Sequence, residues 1–242
     1  HLSIYPHDVH RFSTLSLEEW QQGIVLPVNK PLQWTSFDVI RKLKPQLPVK
    51  KIGHAGTLDP LATGVLVCCV GRATKLISTF QEHIKVYCTT FTFGETTPSL
   101  DRATPVSQTK SWNPMSESEL EAVIESHFIG TIQQIPPMYS AVKKDGKRLY
   151  NYARKGEEVE RQPRDAYIES CKILDYNGRQ CTLEIVCGKG TYIRKLVDDL
   201  AKAVDSMGVV DELQRTKSGP YHIDEAWDIH KLCDALKQVK TV

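Results

Sequence analysis

Residues 53–66 read Gly-His-Ala-Gly-Thr-Leu-Asp-Pro-Leu-Ala-Thr-Gly-Val-Leu, and no other stretch restricts the fold of this chain so tightly. Three glycines and a proline crowd one carboxylate, Asp59, directly ahead of an apolar run at 65–70. Glycine opens backbone shapes barred to other residues, and Pro60 fixes the backbone just after Asp59, so the segment reads as a rigid loop entering a buried strand. On Asp-Pro alone two readings stand. Asp59 is either a helix N-cap with proline in the first turn, or a carboxylate presented from a defined turn. A P-loop is excluded, because neither this run nor Gly188-Lys189-Gly190-Thr191 has the Gly-x4-Gly-Lys-Ser/Thr spacing.

Periodicity places the remaining elements. Strands are predicted at 23–29, 65–70, 85–94 and 209–216, and a pair at 166–176 and 180–187 joined across Asn177-Gly178, a strong hairpin turn. On the strand at 85–94, Tyr87, Thr89, Phe91 and Phe93 share one face. Helices are predicted at 36–43 behind a Thr35-Ser36 cap, at 73–80, at 116–128 with a Ser116/Glu119 capping box, at 147–154 stopping near Gly156, at 192–204 and at 225–236. Residues 96–114, rich in Thr, Ser and Pro, are expected to form a surface loop within one domain. The mixed order lacks a regular βαβ repeat and indicates an α+β fold around a mixed, largely antiparallel central sheet flanked by helices.

Composition sets a class and no function. The apolar stretches fall short of the roughly 20 residues that cross a bilayer, and no basic-then-apolar signal pattern opens the chain, so a cytoplasmic location is expected. The seven cysteines include no Cys-x-x-Cys pair and sit mostly in apolar alternating segments, so they read as reduced and buried. His7 and His10 lack a Cys, Asp or Glu cluster to complete a shell, and no metal site is expected. The formal net charge is only +2, yet it is unevenly spread. Residues 30–51 hold six Lys or Arg against one Asp, and 143–164 hold eight basic against four acidic residues, whereas 95–125 hold six acidic against two basic. Such runs are either solvated faces or surfaces that meet phosphate.

The run at 53–66 closely resembles the central motif of the TruB family of pseudouridine synthases. Further segments match in order: Val28-Asn29-Lys30-Pro31 with Thr35-Ser36, Lys85-Val86-Tyr87, residues 136–143 reading Pro-Pro-Met-Tyr-Ser-Ala-Val-Lys, Gly190-Thr191-Tyr192-Ile193-Arg194, and Leu213-Gln214-Arg215-Thr216. The resemblance covers about residues 23–220. It implies a pseudouridine synthase fold and the isomerisation of uridine 55, in the T loop of tRNA, to pseudouridine, with the base flipped into an aromatic pocket. Asp59 matches the catalytic aspartate, Tyr87 the base-stacking tyrosine, Tyr192 a wall of the base pocket and Arg194 the arginine paired with the catalytic carboxylate. His54 matches the histidine that helps hold the T loop with its target nucleotide turned out. Leu213 is expected as an apolar wall, and Lys30, Lys85, Lys143 and Lys144 as phosphate contacts or pocket supports.

The same resemblance implies no cofactor, the T-arm of tRNA as partner, no obligate protein partner and a monomer. Its domain reading is an N-terminal extension of uncertain order at 1–22, a catalytic domain at 23–220 and a short helical tail at 221–242. No PUA domain is expected, either because this is a short bacterial type or because the chain is trimmed. Gln214, where arginine is usual, puts one RNA contact in doubt. Two other readings are a tRNA-folding chaperone with dispensable catalysis and a guide-RNA-dependent synthase.

Overall fold

The computed structural model describes residues 1–241; Val242, the last residue of the expected tail, lies outside the described residues. The chain forms two compact units, one of His1–Val86 with Gln214–Val242, the other of Tyr87–Leu213.

In the first unit the strand Ile24–Lys30 runs antiparallel to Ala62–Val70, in register from Ile24 opposite Val70 to Lys30 opposite Gly64. Ile52–Ala55 also pairs with Ala62–Val70, setting His54 opposite Cys68. Alternate residues of these strands enter two cores. Leu26, Val28, Leu66, Cys68 and Val70 join Phe12, Trp20 and the apolar faces of the helices Ser36–Leu43 and Ile229–Lys237. Val25, Val65, Val67 and Cys69 meet Phe80 and Tyr221. Burial on both faces explains why 65–70 is continuously apolar, with no polar alternation.

Residues 1–22 are folded into this unit. Leu2–Ser3 pairs in parallel with Ile24–Lys30, Ile4, Phe12 and Trp20 are buried, and Ser16 and Glu19 form a capping box for the helix Leu17–Gln22. The helix predicted at 225–236 starts later. Asp228 caps it, its carboxylate accepting from the amides of His230 at 2.9 Å and Lys231 at 3.0 Å, while Trp227–Asp228 pairs in parallel with Ile24–Lys30. The stretch predicted as one helix at 73–80 divides into a 3-10 turn, Gly71–Leu76, and a short α-helix, Ile77–Gln81.

In the second unit Gly130–Gln134, Arg164–Tyr176 and Gln180–Cys187 pair antiparallel. The predicted turn is present, with Asn177 Oδ1 accepting from the amides of Arg179 and Gln180. The helix Glu117–His127 carries its predicted capping box. Two expectations need correction here. The helix at 147–154 begins only at Leu149, because Lys143–Lys144 and Lys147–Arg148 close a hairpin around Asp145-Gly146, whose φ values of 51° and 76° suit a tight hairpin turn. The start of the 96–114 loop is not on the surface: Thr97, Ser99 and Asp101 are buried. Thr97 donates to the Asp101 carbonyl at 2.6 Å and Ser99 to the Asp101 carboxylate at 2.7 Å, which satisfies their polar groups. The mixed, mostly antiparallel pairing with flanking helices is the α+β architecture expected.

Because Leu26 is fully buried between the strand and its helices, Leu26→Ala is expected to cost about 2–5 kcal/mol. Urea unfolding should show a lower midpoint with an unchanged slope.

Candidate active site

Asp59 does not cap a helix. Its carbonyl accepts from the Ala62 amide at 3.0 Å, closing a four-residue turn with Pro60 in the second position, and the strand Ala62–Val70 follows at once. Of the two readings open from Asp-Pro, the helix cap is excluded, and Asp59 lies in a turn. The turn is fixed on both sides. Ser36 Oγ accepts from the Leu58 amide at 2.9 Å and donates to the Leu58 carbonyl at 3.3 Å. The Gln33 amide donates to the Pro60 carbonyl at 2.8 Å.

Lys30 completes the clamp. Its ammonium donates to the carbonyls of Pro31 at 2.9 Å, Trp34 at 2.5 Å and Pro60 at 3.3 Å. At 0% exposure it cannot meet a phosphate, so of its two expected roles support of the loop is the one its geometry allows. Burial pushes this ammonium down to about 8, and the nearby Asp59 carboxylate is the foremost charge opposing that fall. Lys85, also buried, donates to the Gln81 carbonyl.

Arg215 is the residue that sequence reasoning missed. It lies in the Leu-Gln-Arg-Thr segment, beside the unusual Gln214. The Arg215 side chain is 1% exposed; its Nε donates to the Val65 carbonyl at 2.8 Å and its Nη2 to the Gly56 carbonyl at 2.8 Å. It thus joins the start of the Asp59 loop to the strand that leaves it. Gly64, at φ 108°, makes room: a Cβ there would lie 2.2 Å from the Arg215 carbonyl oxygen. His54, half-buried, has its pKa lowered first by burial and then by the Arg215 charge. Its Nδ1 is buried and has no hydrogen-bond partner among the described residues.

The second unit fixes the other predicted residues. Tyr87 and Leu213 are buried. Tyr192 precedes the helix Ile193–Ala203, and Gln134 grips both its backbone groups, accepting from its amide at 3.0 Å and donating to its carbonyl at 3.2 Å. Arg194 is buried and donates from Nη1 to the Ser99 carbonyl at 2.9 Å and from Nη2 to the Tyr139 carbonyl at 2.6 Å. A guanidinium held by two carbonyls points in one direction, which a solvated helix arginine would not. Lys143 and Lys144 lie on the hairpin strand, Lys143 exposed and Lys144 half-buried with its Nζ donating to the Glu160 carbonyl at 2.8 Å.

The model of the TruB family pseudouridylate synthase N-terminal domain matches residues 44–193, and that of the tRNA pseudouridylate synthase B C-terminal domain matches residues 194–241. The chain belongs to the TruB family. A Parabacteroides distasonis protein named tRNA pseudouridine synthase B is 45% identical over 222 residues, 89% of this chain and 94% of that protein. A Flavobacterium johnsoniae protein of the same name is 45% identical over 227 residues, 91% of this chain and 99% of that one. Among solved structures, a Cbf5-Nop10-Gar1 complex is similar with a TM-score of 0.70 and 26% identity, over 94% of this chain and 62% of that one. The α+β architecture of this TruB-family enzyme is therefore the pseudouridine synthase fold. Among the described residues, no helix is long and apolar enough to cross a membrane, and no group of three or more His, Cys, Asp or Glu is placed to hold a metal ion.

His54 should titrate below the ordinary imidazole value of 6.5. The unfolded chain then binds the extra proton first as pH falls, so this residue lowers stability on the acid side and the loss is recovered as pH rises through about 6.5. An NMR titration of the imidazole in wild type and Arg215→Met tests both causes: the midpoint should rise in the variant and stay below 6.5 in the wild type.

Proposed function

We propose that this TruB-family enzyme isomerises uridine 55 in the T loop of tRNA to pseudouridine, with Asp59 as the catalytic carboxylate. The observation that carries the proposal is Asp59 itself, presented from a turn whose two flanks are held by Ser36 and by the buried ammonium of Lys30. The curated relatives at 41–45% identity named tRNA pseudouridine synthase B support tRNA as the substrate, in preference to the guide-RNA-dependent reading.

The reaction breaks the N1–C1′ glycosidic bond, turns the base and joins C5 to C1′; the proton leaves C5 and N1 ends protonated. No atom is gained or lost and no electron is transferred to a cofactor. Attack at C1′, removal of the C2′ proton and addition at C6 all require an ionised Asp59. Lys30 and Arg215 supply positive charge around the loop, and Arg194 is the cation that the family resemblance sets against the carboxylate.

Extruding the base costs a few kcal/mol, and stacking on an aromatic ring returns roughly 1–3 kcal/mol. Tyr87 is proposed for that stacking, with Tyr192 and Leu213 as walls. His54, neutral near pH 7 because burial and Arg215 depress its pKa, is proposed to meet the turned-out loop without transferring a proton. Lys85, buried with its ammonium donating to the Gln81 carbonyl, is proposed as a structural support and not a phosphate contact.

Purified protein alone is expected to convert the T-loop uridine of an unmodified tRNA transcript, read as a carbodiimide-dependent reverse-transcription stop. Asp59→Asn should bind the same transcript within a few-fold and give no stop; full activity of that variant sinks the assignment. Binding should also weaken steeply between 50 and 200 mM salt, because phosphate contacts release counterions, and a flat salt response would contradict an RNA surface.

A further inference from the structure

Away from the Asp59 loop, the first unit carries a cleft of about 530 Å³ lined by Leu17, Gln21, Pro48, Val49, Lys50, Lys51, Gly71 and Arg72. Its cations are Lys50, Lys51 and Arg72, all exposed, and its lining contains no carboxylate. Three segments distant in sequence are locked together to make it. The Gly71 amide donates to the Lys51 carbonyl at 2.8 Å, and Arg72 Nη1 donates to Gln22 Oε1 at 3.0 Å. At Gly71, with φ 63°, a Cβ would lie 2.3 Å from the Trp20 carbonyl oxygen, so the helix Leu17–Gln22 sits directly against this turn. The segments that carry the positive rim are therefore tied to one another, by a backbone hydrogen bond at Gly71 and a side-chain one at Arg72.

We infer that this cleft is a second tRNA contact, in which Lys50, Lys51 and Arg72 neutralise phosphates of the backbone leading to the T loop while Leu17, Pro48 and Val49 pack against ribose. The inference rests on the tRNA reading of the Asp59 site. Lys51 directly precedes the strand Ile52–Ala55 that carries His54, so the rim begins about 10 Å along that strand from the histidine. Phosphates recur at every nucleotide of an RNA strand, only a few ångströms apart, so a stem ending at His54 passes phosphates over this distance. Point charges on an exposed rim suit a sequence-independent backbone contact, which positions the RNA without reading its bases.

The test is a filter-binding titration of full-length tRNA transcript at several salt concentrations, with wild type and the triple variant Lys50→Gln, Lys51→Gln, Arg72→Gln. These side chains are exposed, so thermal unfolding should be unchanged and show that the variant is folded. The expected result is a loss of affinity of tenfold or more at low salt, a salt slope smaller by about 2–3, and an unchanged single-turnover rate at saturating enzyme. An isolated T-arm hairpin should show the same loss. An unchanged Kd and slope would overturn the inference, as would an affinity loss with no change in slope. Failure of the Asp59 reading would appear separately, as wild-type protein that binds the transcript and forms no pseudouridine.

Discussion

The ammonium of Lys30, enclosed by the carbonyls of Pro31, Trp34 and Pro60, is the interaction on which the arrangement around Asp59 depends. A loop of glycines and a proline has few side chains to hold it and carries carbonyls that need donors. One buried cation gives three of those carbonyls a charge-assisted partner at once, while the field of Asp59 favours its charged form. The desolvation cost is visible in the depressed pKa, and the hydrogen bonds are what offset it. Removing such a partner leaves partly buried carbonyls without their donor, a loss of up to about 1–3 kcal/mol for each one that water cannot reach.

Arg215 repeats the device on the other side. Its guanidinium spans the carbonyls of Gly56 and Val65, so the start of the loop and the strand after it are fixed to one rigid fork. Gly64 is the counterpart of that fork, since any side chain there would collide with the Arg215 backbone. The same charge depresses the His54 pKa. Loop geometry and histidine protonation are thus coupled through a single residue.

Much of this was legible in the sequence because it is local. The Thr35 cap, the Ser116 capping box and the Asn177-Gly178 turn depend on residues three or fewer positions apart and are present as read, and Asp38 extends the Thr35 cap to a full box. The Asp145-Gly146 turn is an equally local feature, and its hairpin moves the start of the predicted helix from 147 to 149. The polar knot of Thr97, Ser99 and Asp101 was illegible, since Thr and Ser stretches read as surface until the partners that satisfy them are placed.

By itself the sequence determined that a carboxylate sits in a rigid Gly/Pro loop before a buried strand, and its ordered motifs pointed to the TruB family. It could not decide whether Asp59 caps a helix or sits in a turn ahead of the strand, because Asp-Pro satisfies both locally. Nor could it show that Lys30 is a buried clamp, or find Arg215, 159 residues from the Gly56 carbonyl it holds. Those outcomes follow from burial and from which distant carbonyls a cation meets, and only the folded chain brings such groups within hydrogen-bonding distance.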